Sequence, residues 1–292
     1  MANFIGHTLP GVLLTILGMW WAYNMWMRYF LCQRTISSGI RSRIKYANTA
    51  SFTSPCCSKI PFEGVFKATV VPIGMIAEYM TAFNSEGKFS SFNNLQHLTI
   101  YFFFALNGVM DILLHYKWPI PKGSDYASAF LGFAMEGVLF YYHLHGRSIL
   151  DVQVHMLLLF VVVGCLASVA VEMANKHSVL AGLTRGYCVI LQGTWLIQIG
   201  FILYSPLGTK WKGDDHNDMM VATALFCWHN AGIFVALIVL GILISFRVKN
   251  LSSTSMYYKL NPISECKDSR MKDLDVQQVR DLIEDSEEDE VV

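Results

Sequence analysis

Seven long stretches of mostly apolar residues constrain the fold of this chain more than any other feature. They cover residues 9–27, 64–83, 97–116, 126–143, 152–173, 186–204 and 219–246. Each is close to the roughly 20 apolar residues that an α-helix needs to cross the hydrocarbon core of a bilayer. None alternates apolar and polar residues as the strands of a membrane β-barrel do. The pattern predicts an all-α membrane protein, a seven-transmembrane helical bundle over residues 1–246.

The composition agrees with a membrane environment. Hydrophobic residues make up 53% of the chain and charged residues only 15%, whereas soluble domains carry about a quarter charged residues. The 22 basic and 22 acidic residues cancel, so net charge gives no reason to expect nucleic acid as a partner. We therefore predict the lipid bilayer as the principal partner.

The end of the chain differs in composition from the rest. Residues 247–292 are rich in Ser, Lys, Asp and Glu and close with an acidic run. Such a segment cannot bury enough apolar surface to fold alone. We predict a disordered, acidic cytosolic tail there, which would bind unknown protein partners.

The distribution of Lys and Arg predicts the orientation, because basic residues concentrate in cytosolic loops. One side of the predicted bundle holds many basic residues, namely Arg28, Arg34, Arg41, Arg43, Lys45, Lys59, Lys117, Lys122, Lys176, Arg185, Arg247, Lys249 and Lys259. The other side holds Lys88, Arg147, Lys210 and Lys212. We predict an N-terminus outside or in the lumen and a C-terminus in the cytosol. Trp20, Trp21 and Trp26 near the end of the first stretch predict an interfacial aromatic belt.

Four histidines within or at the ends of the predicted helices are candidate metal ligands: His97, His143, His155 and His229. At 1.5 Å per residue, the first three lie near the outer boundary and His229 lies near the middle. Zinc takes three or four nitrogen, oxygen or sulfur ligands and can activate water. The chain has no His-x-x-x-His pair, and hydrogen bonding between helices explains the same residues without metal. We predict no cofactor, with zinc as the alternative.

Further polar residues fall inside the predicted helices, namely Glu78, Asp111, Glu136, Glu172, Gln192 and Gln198. An ionisable group at the centre of a membrane helix costs about 2.5 to 3.5 kcal/mol on insertion scales, so each needs a partner or a function. For Asp111 the spacing suggests a local pair with His115, four residues later on the same helix face. Hydrogen bonding between helices is the leading interpretation of the set, and a path for protons or ions is the alternative.

Several short motifs together carry a family resemblance. They are Gly6–His7, Leu9–Gly11, Gln96–His97, Tyr101–Phe104, Phe140–His145, Leu191–Trp195, Gln198–Phe201 and Cys227–His229, with Asp111, Arg147, Asp151 and His155. With these motifs the chain resembles the transmembrane protein 45 family from near residue 1 to about residue 246. The resemblance implies seven helices and a multi-pass protein of the endomembrane system or cell surface. It implies no settled biochemical activity.

Three functions follow as expectations. The first is a non-enzymatic multi-pass membrane protein that acts through protein or lipid partners in Golgi, endosomal or plasma membranes. The second is an intramembrane zinc-dependent lipid hydrolase that uses the histidines near the outer leaflet, similar in outline to seven-helix hydrolases such as alkaline ceramidases. The third is a transporter or channel that uses the intramembrane carboxylates.

The orientation makes one testable prediction about glycosylation. Asn250-Leu251-Ser252 is the acceptor sequon that follows the seventh apolar stretch, and on the cytosolic side it escapes modification because glycosylation is lumenal. Mass spectrometry of the protein from glycosylating cells should find Asn250 unmodified. A glycan on Asn250 would require the opposite orientation.

Overall fold

A computed structural model of the chain describes residues 4–37, 46–53, 59–144, 146–206, 208 and 211–251. These residues form seven α-helices: α1 Phe4–Ser37, α2 Phe62–Thr81, α3 Phe92–His115, α4 Ser124–Tyr142, α5 Ile149–Ala174, α6 Val179–Tyr204 and α7 His216–Lys249. Each helix overlaps one predicted apolar stretch. The largest difference is at the end of α1, which continues beyond residue 27 to Ser37.

The beginnings of three helices follow from their local sequence. Ser148, Ser178 and Asp215 precede α5, α6 and α7, and each side-chain oxygen accepts a hydrogen bond from a backbone N–H of the first turn. These N-caps satisfy donors that the helix itself cannot pair.

Five of the seven helices are long and apolar enough to cross a membrane, namely α1, α3, α5, α6 and α7. The other two are more polar or shorter. The twenty residues of α2 include Glu63, Lys67 and Glu78, and α4 has nineteen residues with Glu136 among them. The architecture is therefore that of a helical membrane protein, while membrane crossing by α2 and α4, like the orientation, stays a prediction.

Consecutive helices from α2 to α6 pack side by side, and α6 is the central helix of the bundle. It contacts α1, α5 and α7, and most of its residues are buried. One end of the bundle holds the start of α1 and the α2–α3, α4–α5 and α6–α7 connections. We call it the outer end after the predicted orientation, and the opposite end the inner end.

The most extensive contact between helices joins α1 to α6, and glycines make it possible. Gly11 and Gly18 of α1 face Gly193 and Gly186 of α6, at a spacing of seven residues in both helices. A Cβ atom on Gly193 would lie 2.6 Å from the carbonyl oxygen of Gly11 and from the backbone nitrogen of Thr15. The two backbones therefore touch directly, as they do where small residues line the interface of membrane helices.

The predicted aromatic belt at the end of the first helix is wrong for two of its tryptophans. Trp21 is buried, and its indole Nε1 donates to Glu63 Oε1 at 2.9 Å. Trp26 packs against Gly241 of α7 and donates to the carbonyl oxygen of Leu237 at 3.2 Å. Both rings face neighbouring helices because those helices offer acceptors for the indole N–H.

Most of the predicted tail, residues 252–292, lies outside the described residues. The same holds for residues 38–45, which include three of the basic residues that predict the orientation, Arg41, Arg43 and Lys45. At the start of the predicted tail, the last helix α7 continues through residues 247–249 and ends at Lys249. The disorder of the tail stays a prediction.

The α1–α6 contact predicts that even one added methyl group at Gly193 destabilises the bundle. Gly193→Ala places a Cβ against the backbone of α1, and overpacking of this kind costs about 1 to 3 kcal/mol. Gly232→Ala is the matched control, because a Cβ there meets nothing within 4 Å. Thermal unfolding in detergent should show a lowered midpoint for Gly193→Ala alone. Equal midpoints for the two variants would contradict the contact.

Candidate functional site

At the inner end, Lys67 of α2 is buried among three polar side chains. Its Nζ lies 2.5 Å from Asp111 Oδ2, 2.7 Å from Asn107 Oδ1 and 3.1 Å from Glu63 Oε1. Both Asp111 and Glu63 are buried as well. The ammonium therefore compensates two carboxylates that belong to two different helices.

Glycines bring α2 and α3 close enough for this ion pair. A Cβ on Gly108 would lie 2.7 Å from the backbone nitrogen of Ala68, and a Cβ on Gly64 would lie 2.9 Å from the Cβ of Asp111. The predicted pair of Asp111 with His115 is wrong. His115 Nε2 instead lies 3.1 Å from the carbonyl oxygen of Lys59, because the close approach of α2 supplies Asp111 with a cation.

A second buried ion pair joins α5 and α6 at the same end. Arg185 Nε donates to Glu172 Oε2 at 2.6 Å, and both side chains are almost fully buried. The guanidinium also donates to the carbonyl oxygens of Ala50 at 2.8 Å and Thr49 at 2.9 Å. Arg185 thereby fixes the segment 46–53 against the helices.

Trp21 of α1 connects the two ion pairs. Its ring centroid lies 4.0 Å from the guanidinium carbon of Arg185, a cation–π contact, and its N–H donates to Glu63. Glu63 Oε2 also accepts the backbone N–H of Phe52 at 3.0 Å. We call this connected set the inner network: Trp21, Glu63, Lys67, Asn107, Asp111, Glu172 and Arg185. The inner network links helices α1, α2, α3, α5 and α6 through hydrogen bonds and ion pairs that involve most of its polar atoms.

The predicted residues Glu136 and Gln192 meet in the middle of the bundle. Gln192 Nε2 donates to Glu136 Oε1 at 2.7 Å, which ties α4 to α6. Gln192 Oε1 accepts from the Cys165 thiol at 3.4 Å. Among the described residues, Glu136 Oε2 has no hydrogen-bond partner. This contact joins helices at a depth where water is scarce, as polar side chains in membrane bundles commonly do.

At the outer end, His143 follows the last residue of α4. Its Nδ1 lies 2.6 Å from Gln96 Oε1, and its Nε2 faces the Nη2 of Arg147. Arg147 can only donate, so Nε2 accepts and the ring proton belongs on Nδ1, where Gln96 accepts it. The imidazole is therefore neutral.

Arg147 also binds the beginning of α5. Its Nη1 donates to both carboxylate oxygens of Asp151 at 3.0 Å, and its Nε donates to the carbonyl oxygen of His143 at 2.9 Å. Asp151 Oδ1 lies 2.7 Å from His155 Nδ1, so two residues four apart on one helix face are in contact.

Three of the four candidate ligands come together here. Ring centroids are 5.6 Å apart for His97 and His143, and 6.1 Å apart for His143 and His155. His7 of α1, which lies outside the predicted ligand set, is 5.7 Å from His155 between ring centroids. We call the assembly the outer network: His7, Gln96, His97, His143, Arg147, Asp151 and His155.

The remaining predicted residues lie elsewhere. His229 packs against Trp195 inside the bundle, with ring centroids 5.7 Å apart. It lies well inside α7, about 20 Å along the axis from the helix start, whereas His155 lies near the start of α5. Glu78 Oε1 lies 3.3 Å from His97 Nδ1, and Gln198 is half-buried on α6. Within the described part of the chain, no three His, Cys, Asp or Glu residues are grouped as a metal site requires.

Lys67 and Arg185 of the inner network each pair with a buried carboxylate. The sequence pattern did not predict either residue as such a partner. Lys67 stands inside the second apolar stretch, and a lysine at that depth is itself a signal for a buried partner. The apolar stretches place Arg185 at the inner boundary, because the sixth stretch begins at residue 186. The helix starts at Val179, so Arg185 lies within it.

An apolar groove runs between α4 and α5 over the half of the bundle nearest the outer end. It has a volume of about 330 Å³, and its lining extends from Phe133 and Leu166 to Tyr141 and Leu159. Gly137 forms part of its floor, where a Cβ would make only ordinary contact with Val162. The groove is open to the outside of the bundle, and its surface is apolar throughout.

Comparison with known proteins gives a consistent description. Residues 123–242 match a family of unknown function, DUF716. The chain is 26% identical over 243 residues to transmembrane epididymal protein 1A of Mus musculus, a match that covers 78% of this chain and 76% of the relative. Transmembrane epididymal protein 1 of Rattus norvegicus is 25% identical over 238 residues, with the same coverage of 78% and 76%. The Homo sapiens protein of that name is 31% identical over 138 residues, 46% of this chain and 50% of the relative.

These findings correct the family resemblance drawn from the motifs. They support similarity to DUF716 and to the transmembrane epididymal proteins, and the assignment to the transmembrane protein 45 family is wrong. The transmembrane relatives and the five apolar helices together identify the chain as a multi-pass membrane protein.

The inner network predicts a large cost for removing Lys67. Lys67→Met leaves two buried carboxylates without their cation, and breaking a buried pair in this way costs about 3 to 5 kcal/mol. The double variant Lys67→Met/Asp111→Asn should recover part of the loss, because one uncompensated charge is then gone. Unfolding in detergent micelles measures the stability of the wild type and of both variants.

Lys88→Met is the matched control for this experiment. Lys88 pairs with Glu86 at 3.2 Å, but both side chains are largely exposed, and exposed pairs contribute little. A Lys67→Met protein as stable as Lys88→Met would show that the buried pair does not hold α2 to α3.

Proposed function

We propose that this chain is a non-enzymatic, seven-span membrane protein of the endomembrane system or cell surface that acts by binding a lipid through its α4–α5 groove. The groove is the observation that carries the proposal. Its volume of about 330 Å³ is at the lower end of the range of ligand sites. An acyl chain of the outer leaflet fits its shape, its apolar lining and its position between two helices.

The polar side chains of the bundle support a non-enzymatic role. Hydrolysis needs a nucleophile or an activated water with a base placed beside it. In the inner network, Lys67 and Arg185 are committed to Asp111 and Glu172 at 2.5 and 2.6 Å. In the outer network, both nitrogens of His143 are already in contact with other side chains. These contacts support a role of the groups as connections between helices.

The recessed shape of the groove favours binding of a particular lipid over the ordinary contact that every exposed helix face makes with the bilayer. Gly137 leaves a recess between the helices, and its neighbours Val138 and Tyr141 remain about half exposed along the edge. A recessed apolar surface holds a chain on several sides and so buries more area than a flat helix face. Protein partners that bind the predicted cytosolic tail belong to the same proposal.

The proposal predicts selective labelling of the groove by lipid. A phosphatidylcholine with a photoreactive diazirine in one acyl chain is incorporated in nanodiscs with the full chain, irradiated and mapped by mass spectrometry. Labelling of peptides that contain residues 133–142 and 159–166 should exceed that of the exposed face of α7 around Phe234 and Ile238 several-fold. Gly137→Leu, which fills the recess, should lower the labelling to the α7 level.

Gly232→Leu on α7 is the control, because that position faces open space and should leave the labelling unchanged. Uniform labelling of all exposed helix faces would mean that the groove has no lipid of its own and would overturn the proposal. Stoichiometric zinc in the same preparation, found by elemental analysis, would favour the lipid hydrolase instead.

A further inference from the structure

Lysines gather at the inner end, on the connections that precede α2, join α3 to α4 and follow α5. We call this set the inner lysine cluster: Lys59, Lys117, Lys122 and Lys176. The first three are exposed and the fourth is half-buried. Two contacts bring the connections together. His115 Nε2 lies 3.1 Å from the carbonyl oxygen of Lys59, at the end of α3, and a Cβ on Gly123 would lie 3.9 Å from Lys176 Nζ.

The acidic residues of the inner end do not compensate the cluster. The buried carboxylates of the inner network are paired with Lys67 and Arg185. Asp125 is half-buried, and its Oδ1 accepts the backbone N–H of Tyr126 at 2.9 Å. Lys176 Nζ lies 4.8 Å from the centroid of the Tyr126 ring, a cation–π contact. The residues that the structure describes therefore give this end a surplus of positive charge.

Lys117 adopts a backbone conformation that disfavours a side chain. Its φ is 57°, and it is the one residue other than glycine with a positive φ in the described part of the chain. Trp118 N–H donates to the carbonyl oxygen of Leu113 at 3.0 Å, and Lys117 N–H donates to that of Leu114 at 3.1 Å. This pair of bonds is the Schellman motif, whose left-handed residue is usually glycine.

The strain at Lys117 points to a use of its side chain. Glycine adopts a positive φ without steric cost, so the helix end itself gains nothing from a lysine there. Strained backbone is concentrated at functional sites, where the surrounding structure maintains it. The Schellman bonds hold Lys117 in place, and what this residue offers that glycine lacks is an ammonium group.

Two aromatic residues flank Lys117 and indicate where the cluster lies relative to a bilayer. Tyr116 is 56% exposed and Trp118 is 60% exposed. Exposed Trp and Tyr at the ends of membrane helices lie at the level of the lipid headgroups. The ammonium groups beside them are therefore at the depth of lipid phosphates.

We propose that the inner lysine cluster binds the headgroup of an anionic phospholipid in the leaflet at the inner end. The phosphate supplies the negative charge that the described residues of this end lack, and the flanking aromatic rings contact the glycerol region. In the predicted orientation this leaflet is the cytosolic one, which carries the anionic lipids. The site is separate from the α4–α5 groove, which lies nearest the outer end and has an apolar lining without cations.

Native mass spectrometry of the full chain, released from detergent micelles, tests the proposal. The protein is titrated with phosphatidylserine or with phosphatidylcholine of the same acyl chains, and the dissociation constant of the first bound lipid is measured. Phosphatidylserine should bind several-fold more tightly, because its net negative charge is the difference between the two lipids. Equal dissociation constants for the two lipids in the wild type would overturn the proposal.

Lys117→Gly separates lipid binding from the stability of the helix end. A basic residue at an anionic surface contributes an interaction equivalent to about fivefold in affinity, so the variant should bind phosphatidylserine about fivefold more weakly. Its affinity for phosphatidylcholine should not change. Its thermal unfolding midpoint in lipid-free detergent should equal or exceed that of the wild type, because glycine relieves the strain. A lowered midpoint would contradict the strain and overturn the assignment of Lys117.

Lys122→Gln provides a second test at an exposed position of the same connection, should Lys117→Gly fail to fold. It should also weaken the binding of phosphatidylserine about fivefold. Lys88→Gln is the matched control, because Lys88 is an exposed lysine on the α2–α3 connection at the outer end. This control should bind both lipids as the wild type does. A phosphatidylserine affinity of Lys122→Gln equal to that of Lys88→Gln would overturn the site.

Discussion

The close backbone contact of α1 with α6 determines how the rest of the bundle is arranged. Glycines at intervals of seven residues let the two helices touch without intervening side chains. This contact fixes the rotation of α6 about its axis, and so directs Arg185 to Glu172 of α5 and Gln192 to Glu136 of α4. In a bilayer the hydrophobic effect contributes little to the association of helices. The van der Waals contacts between closely packed small residues therefore supply the attraction.

A second constraint is that ionisable groups within the bundle require partners. The structure meets it with pairs between helices: Lys67 with Asp111, and Arg185 with Glu172. Trp21 connects these pairs and anchors them to α1. The outer network follows the same rule with Arg147 and Asp151, but there it includes a neutral histidine as acceptor. The inner connections therefore rely on charge compensation, whereas the outer connection also uses a neutral imidazole as an acceptor.

The apolar α4–α5 groove and the outer network lie at neighbouring positions but are physically distinct. The groove is lined by apolar side chains on the outward faces of α4 and α5, and Gly137 provides its depth. The outer network joins the same two helices at their outer end, where His143 follows α4 and Asp151 lies in the first turn of α5.

The apolar stretches by themselves determined the number and approximate limits of the helices, because the length and hydrophobicity of a segment are local properties. The contact of Asp151 with His155 is local in the same sense, since four residues span about one helical turn. The cations that pair with Asp111 and Glu172 and the burial of Trp21 could not be predicted in the same way. Each depends on which faces of distant helices meet, and the close approach of the backbones at glycines sets those faces. Only the tertiary structure decided that Lys67 lies against Asp111 and that His143 must accept a hydrogen bond from Arg147.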